Sequence, residues 1–270
     1  MKEKELNFRV ILSISSDIGT ELALSWIDKG FNVVGTYRNW GVNCDKLEMI
    51  GVKLIECDLN DKNSIDQALE KFLLMEKWDV LTIASGAQEP IGNFLELNFD
   101  DWEDSLIVNF SAQLRFLRGM LPHRKIGTEL MPIVLFFAGG GTNNATVNYS
   151  AYTISKIASI KMCELLDAEI HDTRFTILGP GWVKTKIHEA TLQSGTKAGD
   201  NFQKTIEMLD GDKCFPISEV VECCNWLVNT ERKVISGRNF SAVHDDWKNK
   251  EINSLLLSDM NIYKLRRFGN

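Results

Sequence analysis

Phe8-Arg9-Val10-Ile11-Leu12-Ser13-Ile14-Ser15-Ser16-Asp17-Ile18-Gly19 is the stretch whose reading decides the fold. Phe8 to Ile14 is apolar at most positions and carries β-branched residues, the pattern of a strand buried on both faces. The polar break Ser15-Ser16-Asp17 follows, and Ile18 to Lys29 reads as a helix that Gly30 ends. Asp17 suits the N-cap of that helix. A strand turning tightly into a helix is the opening unit of a parallel α/β sheet.

The alternation continues outward from this unit. Strands are expected at Phe31 to Thr36, Val52 to Cys57, Val80 to Ala84, Ile133 to Phe137, Phe175 to Leu178 and Asn239 to Val243. Helices are expected at Asp61 to Met75, Trp102 to Leu121 (stopped by Pro122), Ser150 to Ile170 and Ile217 to Val228. Gly195 to Gly211 has the weakest pattern and reads as a mobile segment or a short helix. The expected fold is a Rossmann-like, doubly wound parallel sheet of about seven strands with helices on both faces, its ligand at the carboxyl ends of the strands. No internal repeat, linker or low-complexity run divides the chain, so residues 1–270 read as a single dinucleotide-binding domain with a tail over 247–270.

Composition narrows the function. The chain has 270 residues, 44% of them hydrophobic, enough for a large core. A net charge of -7 argues against nucleic-acid binding or a polybasic membrane contact. No apolar run approaches the roughly 18–20 residues of a membrane span. Met1 to Asn7 is charged and lacks the apolar core of an export signal. The six cysteines are scattered with no Cys-x-x-Cys, which favours reduced thiols over a disulfide framework or a zinc site and places the chain in the cytoplasm with no metal.

The turn after the first strand is where this fold holds a pyrophosphate, on backbone N–H groups at a helix N-terminus; the candidates are Ser13, Ser15, Ser16, Ile18 and Gly19. Only Gly19 is a glycine, and the Asp17 carboxylate would repel a phosphate if it pointed there, so a plain capped helix fits the segment equally. At the end of the second strand stands Arg38 and no acidic residue. A guanidinium pairs well with a 2′-phosphate, favouring NADP over NAD, although a solvated arginine reads the same way. Asp58, followed by Leu59, ends the third strand within reach of an adenine amino group, or caps the next helix. Tyr152 and Lys156 lie four apart on one helix face, where an ammonium would lower the phenol's pKa toward acid/base use. Tyr-x-x-x-Lys alone is common by chance.

With these residues in order, the chain resembles the short-chain dehydrogenase/reductase family over about Phe8 to Val243. Tyr152 and Lys156 match its acid/base pair, Asn109 the asparagine of its long fourth helix, and Asp58 its adenine-contacting aspartate. Ser85-Gly86 matches the end of the motif after its fourth strand, and Pro180-Gly181-Trp182-Val183-Lys184-Thr185 its Pro-Gly segment. The resemblance implies proton transfer by Tyr152, cofactor binding by Lys156, Pro180, Gly181, Val183 and Thr185, and a proton-relay water supported by Asn109. It also implies a carbonyl or alcohol substrate and a homodimer or homotetramer.

Two departures stand out. Ser13 and Asp17 replace two of the family's three turn glycines. The catalytic serine, about thirteen or fourteen residues before the tyrosine, would fall on Gly139 or Ala138. Thr142 or Asn143 could replace its hydroxyl if the glycine run folds back. Residues 182–211 are expected to close over substrate, with His188 either touching it or solvated. Gly179 to His188, Ser236 to Trp247 and the ending Tyr263 to Arg267 resemble a bacterial subgroup associated with surface-polysaccharide or nucleotide-sugar pathways. A non-catalytic dinucleotide-binding subunit is the rival reading, and a nucleotide-sugar epimerase or dehydratase a third. The tail would pack on a neighbouring subunit or cover the active site.

Overall fold

Seven strands, all parallel, pair in the order β3-β2-β1-β4-β5-β6-β7. They are β1 (Phe8–Leu12), β2 (Asn32–Tyr37), β3 (Lys53–Glu56), β4 (Val80–Ile83), β5 (Ile133–Phe137), β6 (Arg174–Gly179) and β7 (Arg238–Ser241). The computed structural model describes residues 8–211 and 213–267, so the charged segment Met1 to Asn7, read above as lacking an export signal's apolar core, and residues 268–270 of the tail lie outside the described residues. Strand order reverses between β1 and β4, and a doubly wound sheet opens its ligand crevice at that point, above the carboxyl ends.

The helices are α1 (Asp17–Asp28), α2 (Val42–Met49), α3 (Lys62–Leu73), α4 (Phe99–Leu106), α5 (Ala112–Met120), α6 (Ser150–Glu169), α7 (Glu189–Ser194), α8 (Asp200–Asp210), α9 (Ile217–Val228), α10 (Arg232–Ile235) and α11 (Ile252–Ser258). Every residue of β1 and β5 is buried, because helices cover both faces of the sheet. One core joins Ile11, Leu22, Trp26, Val220 and Leu227 between β1, α1 and α9. The other joins Val10, Phe72, Phe116, Phe175 and Cys163 between the sheet and α3, α5 and α6. Each such side chain contributes about 1.5–3 kcal/mol by leaving water. Trp26 Nε1 also donates to Asn225 Oδ1 (2.9 Å), tying α1 to α9.

Several expectations need correction. β1 stops at Leu12, because Ser13 turns away with φ 62°. Ser16, not Asp17, caps α1, its hydroxyl accepting from Gly19 N–H. Asp61 caps α3 by accepting from Asn63 N–H, so the capping alternative for Asp58 does not hold. The long fourth helix begins at Phe99, where Asn98 provides the cap, and a π turn over Ile107–Ser111 widens it before α5. For Gly195 to Gly211 the short-helix alternative is the one found, as a 3-10 turn followed by α8. Within the chain, buried Arg238 donates to the carbonyls of the tail residues Leu256, Asp259 and Ile262. Among the described residues no helix is long and apolar enough to cross a membrane, and no group of three or more His, Cys, Asp or Glu could hold a metal ion.

Candidate active site

The β1–α1 turn is built by close approach. Ser13 holds a left-handed backbone that glycine adopts freely, and its N–H donates to Thr36 Oγ1 (2.8 Å). A Cβ on Gly19 would sit 2.6 Å from Ser13 O and 2.8 Å from Ser16 Oγ, so this position accepts only glycine. Thr20 Oγ1 fastens the turn from inside by donating to Ile14 O (2.9 Å). Asp17 stands in the first turn of α1. Its carboxylate accepts from Asn43 Nδ2 (3.2 Å) and from Lys186 N–H (2.7 Å).

Above the sheet, α6 presents Tyr152 and Lys156 to the crevice. Lys156 is 3% exposed, and its Nζ donates to Phe137 O (3.1 Å) and Ser85 O (3.3 Å), at the ends of β5 and β4. It lies 5.7 Å from the centroid of the Tyr152 ring. Burial pushes the Lys156 ammonium down to about 8 and the Tyr152 phenol up to about 12. The expected lowering of Tyr152 by its lysine is therefore absent here: desolvation disfavours both charged forms. The serine question has a steric answer. A Cβ on Gly139 would meet Tyr152 Cε1 at 2.7 Å and its hydroxyl at 2.9 Å, so the phenol packs where a serine side chain would begin.

Asn109, wholly buried in the π turn, spends its amide on structure. Oδ1 accepts from Ala87 N–H (2.9 Å), while Nδ2 donates to Ala87 O (2.9 Å) and Ser105 O (3.0 Å). It fixes the segment after β4.

A cleft of about 1970 Å³ collects most remaining candidates: Ser16, Ile18, Arg38, Ser85, Gly86, Thr142, Asn143, Pro180, Gly181, Val183 and Thr185 all line it. Arg38 is exposed and has no ion pair among the described residues. The Ser85 hydroxyl is buried without a hydrogen-bond partner among the described residues. Ser13, Ser15, Gly19, Asp58, Leu59 and Asn109 do not line the cleft; Asp58 accepts instead from Asn60 N–H. His188 is not solvated. It is stacked on Trp182 (3.9 Å between centroids, 1° between planes), its Nε2 sits 2.9 Å from Val183 O, and burial lowers its pKa.

Sequence reading missed two features. The Asp17–Lys186 contact spans 169 residues and has no local signal. Tyr149 Oη, Thr191 Oγ1 and Gln88 Oε1 form a chain (2.7 and 3.1 Å) that fixes α7 to the start of α6. The tail residues Tyr263 to Arg266 line the cleft, one of the two places the sequence offered for the tail.

A family model described as enoyl-(acyl carrier protein) reductase matches residues 14–243. Among solved structures, the chain is similar to a short-chain dehydrogenase/reductase from Saccharomyces cerevisiae, at 18% identity over 89% of this chain and 98% of that one, with a TM-score of 0.76. It is similar to a short-chain dehydrogenase from Shigella flexneri complexed with NADP, at 20% identity over 88% and 98%, TM-score 0.70. It is also similar to a 4-hydroxyisoleucine dehydrogenase mutant complexed with NADH and succinate, at 21% identity over 87% and 96%, TM-score 0.72. At such identities the likeness is one of fold. No curated protein matches the chain.

Proposed function

The chain belongs to the short-chain dehydrogenase/reductase family of oxidoreductases, and on that premise we propose that it interconverts a ketone and a secondary alcohol with NADP, using Tyr152 as the acid/base. The observation that carries this reading is the convergence of Tyr152, Lys156 and the ends of β4 and β5 on one cleft.

The residues present fit a dinucleotide. The cleft exceeds the roughly 300–1,000 Å³ of an ordinary small-molecule pocket. Gly19 keeps the turn free of a Cβ, and Arg38, exposed at the end of β2 with no ion pair among the described residues, suits a 2′-phosphate over a bare ribose. The pyrophosphate would lie along Ser16 and Ile18, and the nicotinamide end by Ser85, Gly86, Pro180, Gly181, Val183 and Thr185. When bound, the cofactor supplies or accepts a hydride.

Tyr152 keeps its proton through neutral pH, so it is set up to donate it to a carbonyl oxygen. Lys156, protonated below about pH 8, is the cation that would favour the phenolate left behind. No second hydroxyl stands at 138 or 139, so Tyr152, with Thr142 or Asn143 on the cleft wall, polarises the carbonyl. Loss of one such donor elsewhere costs on the order of 10²–10³ in rate. Asn143, Asn144, Thr146, Asn148 and Gln193 line the cleft as well, and these amides and hydroxyls suit a hydroxyl-rich substrate such as a nucleotide-sugar or polysaccharide precursor. Six free cysteines, five of them buried, suit a reducing compartment such as the cytoplasm.

Calorimetric titration with NADPH and NADH, followed by a panel of carbonyls and alcohols, tests the proposal. NADPH should bind at least about tenfold more tightly than NADH, and Arg38→Ala should erase the difference. NADPH binding with no turnover of any panel member would favour the rival, a non-catalytic dinucleotide-binding subunit.

A further inference from the structure

Asp17 occupies a place where the family pattern has glycine, and the structure gives its carboxylate a partner far away in sequence. Lys186 N–H donates to Asp17 Oδ2 (2.7 Å), Lys186 Nζ lies 3.7 Å from Oδ1, and Asn43 Nδ2 supports the same oxygen at 3.2 Å. Asn43 is 7% exposed and also donates to Ser15 O (3.0 Å), so α2 holds the carboxylate and the turn together. Lys186 opens the short helical turn Lys186–His188. The next residue, Ile187, comes within 3.8 Å of where a Gly86 Cβ would stand, just past β4. The segment therefore crosses from the α1 N-terminus to the end of β4. That is the crevice between β1 and β4, where a doubly wound sheet takes its dinucleotide.

We infer that Asp17 is a positioning residue that straps the Lys186–His188 segment across the cofactor groove and so sets how fast a dinucleotide enters and leaves. The inference rests on the dinucleotide reading above. Its chemistry is a charge-assisted hydrogen bond between a carboxylate and a backbone N–H, reinforced by an exposed ion pair. Asp17 lines the cleft, and its carboxylate is engaged by the Lys186 N–H and Asn43 Nδ2. These donors offset part of the carboxylate's charge beside the groove.

Two measurements on the full chain test it. In hydrogen–deuterium exchange of the protein without cofactor, Asp17→Ala should speed exchange at the Lys186 amide by about tenfold or more, the worth of one charged hydrogen bond. Asp17→Asn, which keeps an acceptor oxygen, should restore part of the protection. In stopped-flow binding of NADPH, Asp17→Ala should accelerate association and dissociation together, by about tenfold each, with the dissociation constant moving far less. Unchanged exchange at Lys186 overturns the strap. Slower dissociation in Asp17→Ala also overturns it, because that marks simple repulsion of the phosphates. Failure of NADPH to bind the unaltered protein would sink the dinucleotide reading, and the exchange experiment distinguishes that from failure of the strap.

Discussion

Gly139 and Tyr152 are coupled by contact, and this changes the meaning of the missing serine. The phenol occupies the space into which a side chain at 139 would grow. Gly139→Ser should therefore not rescue activity. It should displace Tyr152, lower turnover, and cost about 1–3 kcal/mol of stability by overpacking, read from steady-state kinetics and urea unfolding. Increased turnover would show that the site tolerates the serine. Lys156 gives a pH prediction. Its ammonium persists only below about pH 8, so kcat/KM should fall as pH rises through that value. Lys156→Arg, which stays charged, should remove that limb. The sign for stability is the reverse. Between about 8 and 10.5 the unfolded chain binds more protons at this position than the native one, so this group's contribution to stability rises with pH across that window. The identities of Tyr152 and Lys156 were legible in the sequence. Their separate desolvation was not, because it comes from Phe137, Ser85 and Gly139 closing around them.

Among the elements, those with strong periodicity were read closely. α9 lies where expected, from Ile217 to Val228, and β5 from Ile133 to Phe137. α2 escaped notice because Val42–Met49 is short, lacks a side-chain cap and buries Asn43 and Cys44 with Leu47, so no apolar stripe marks it. The omission mattered, since α2 carries Asn43 to Asp17. α8 was obscured by Gly195, Gly199 and Gly211, which read as loop residues but flank a helix with Thr205 buried. α11 depends on Arg238, whose buried guanidinium satisfies three carbonyls of the tail. Arg238→Ala leaves those carbonyls without their donor and should cost about 3 kcal/mol or more. Thermal unfolding and limited proteolysis after Asp246 check this; an intact, equally stable tail would contradict it.

For the whole molecule, strand–helix alternation was enough to specify a doubly wound sheet, and β3-β2-β1-β4-β5-β6-β7 is the order observed. Alternation could not say which distant segments meet at the crevice. Lys186, Thr191 and the residues Tyr263 to Arg266 reach it only through the crossovers. The outer faces of α4 to α6 leave Phe99 (53% exposed), Ile107 and Ile154 open to solvent. Apolar surface of this kind fits the expected homodimer or homotetramer. Light scattering coupled to size exclusion should give two or four copies; a monomer at micromolar concentration would contradict it. The central claim is narrower than any of these, namely that the Tyr152 phenol transfers the proton. The most direct measurement is NADPH-dependent carbonyl reduction by Tyr152→Phe beside the unaltered protein. The account predicts that NADPH still binds and that turnover falls by about 10²-fold or more. Turnover equal to that of the unaltered protein would contradict it.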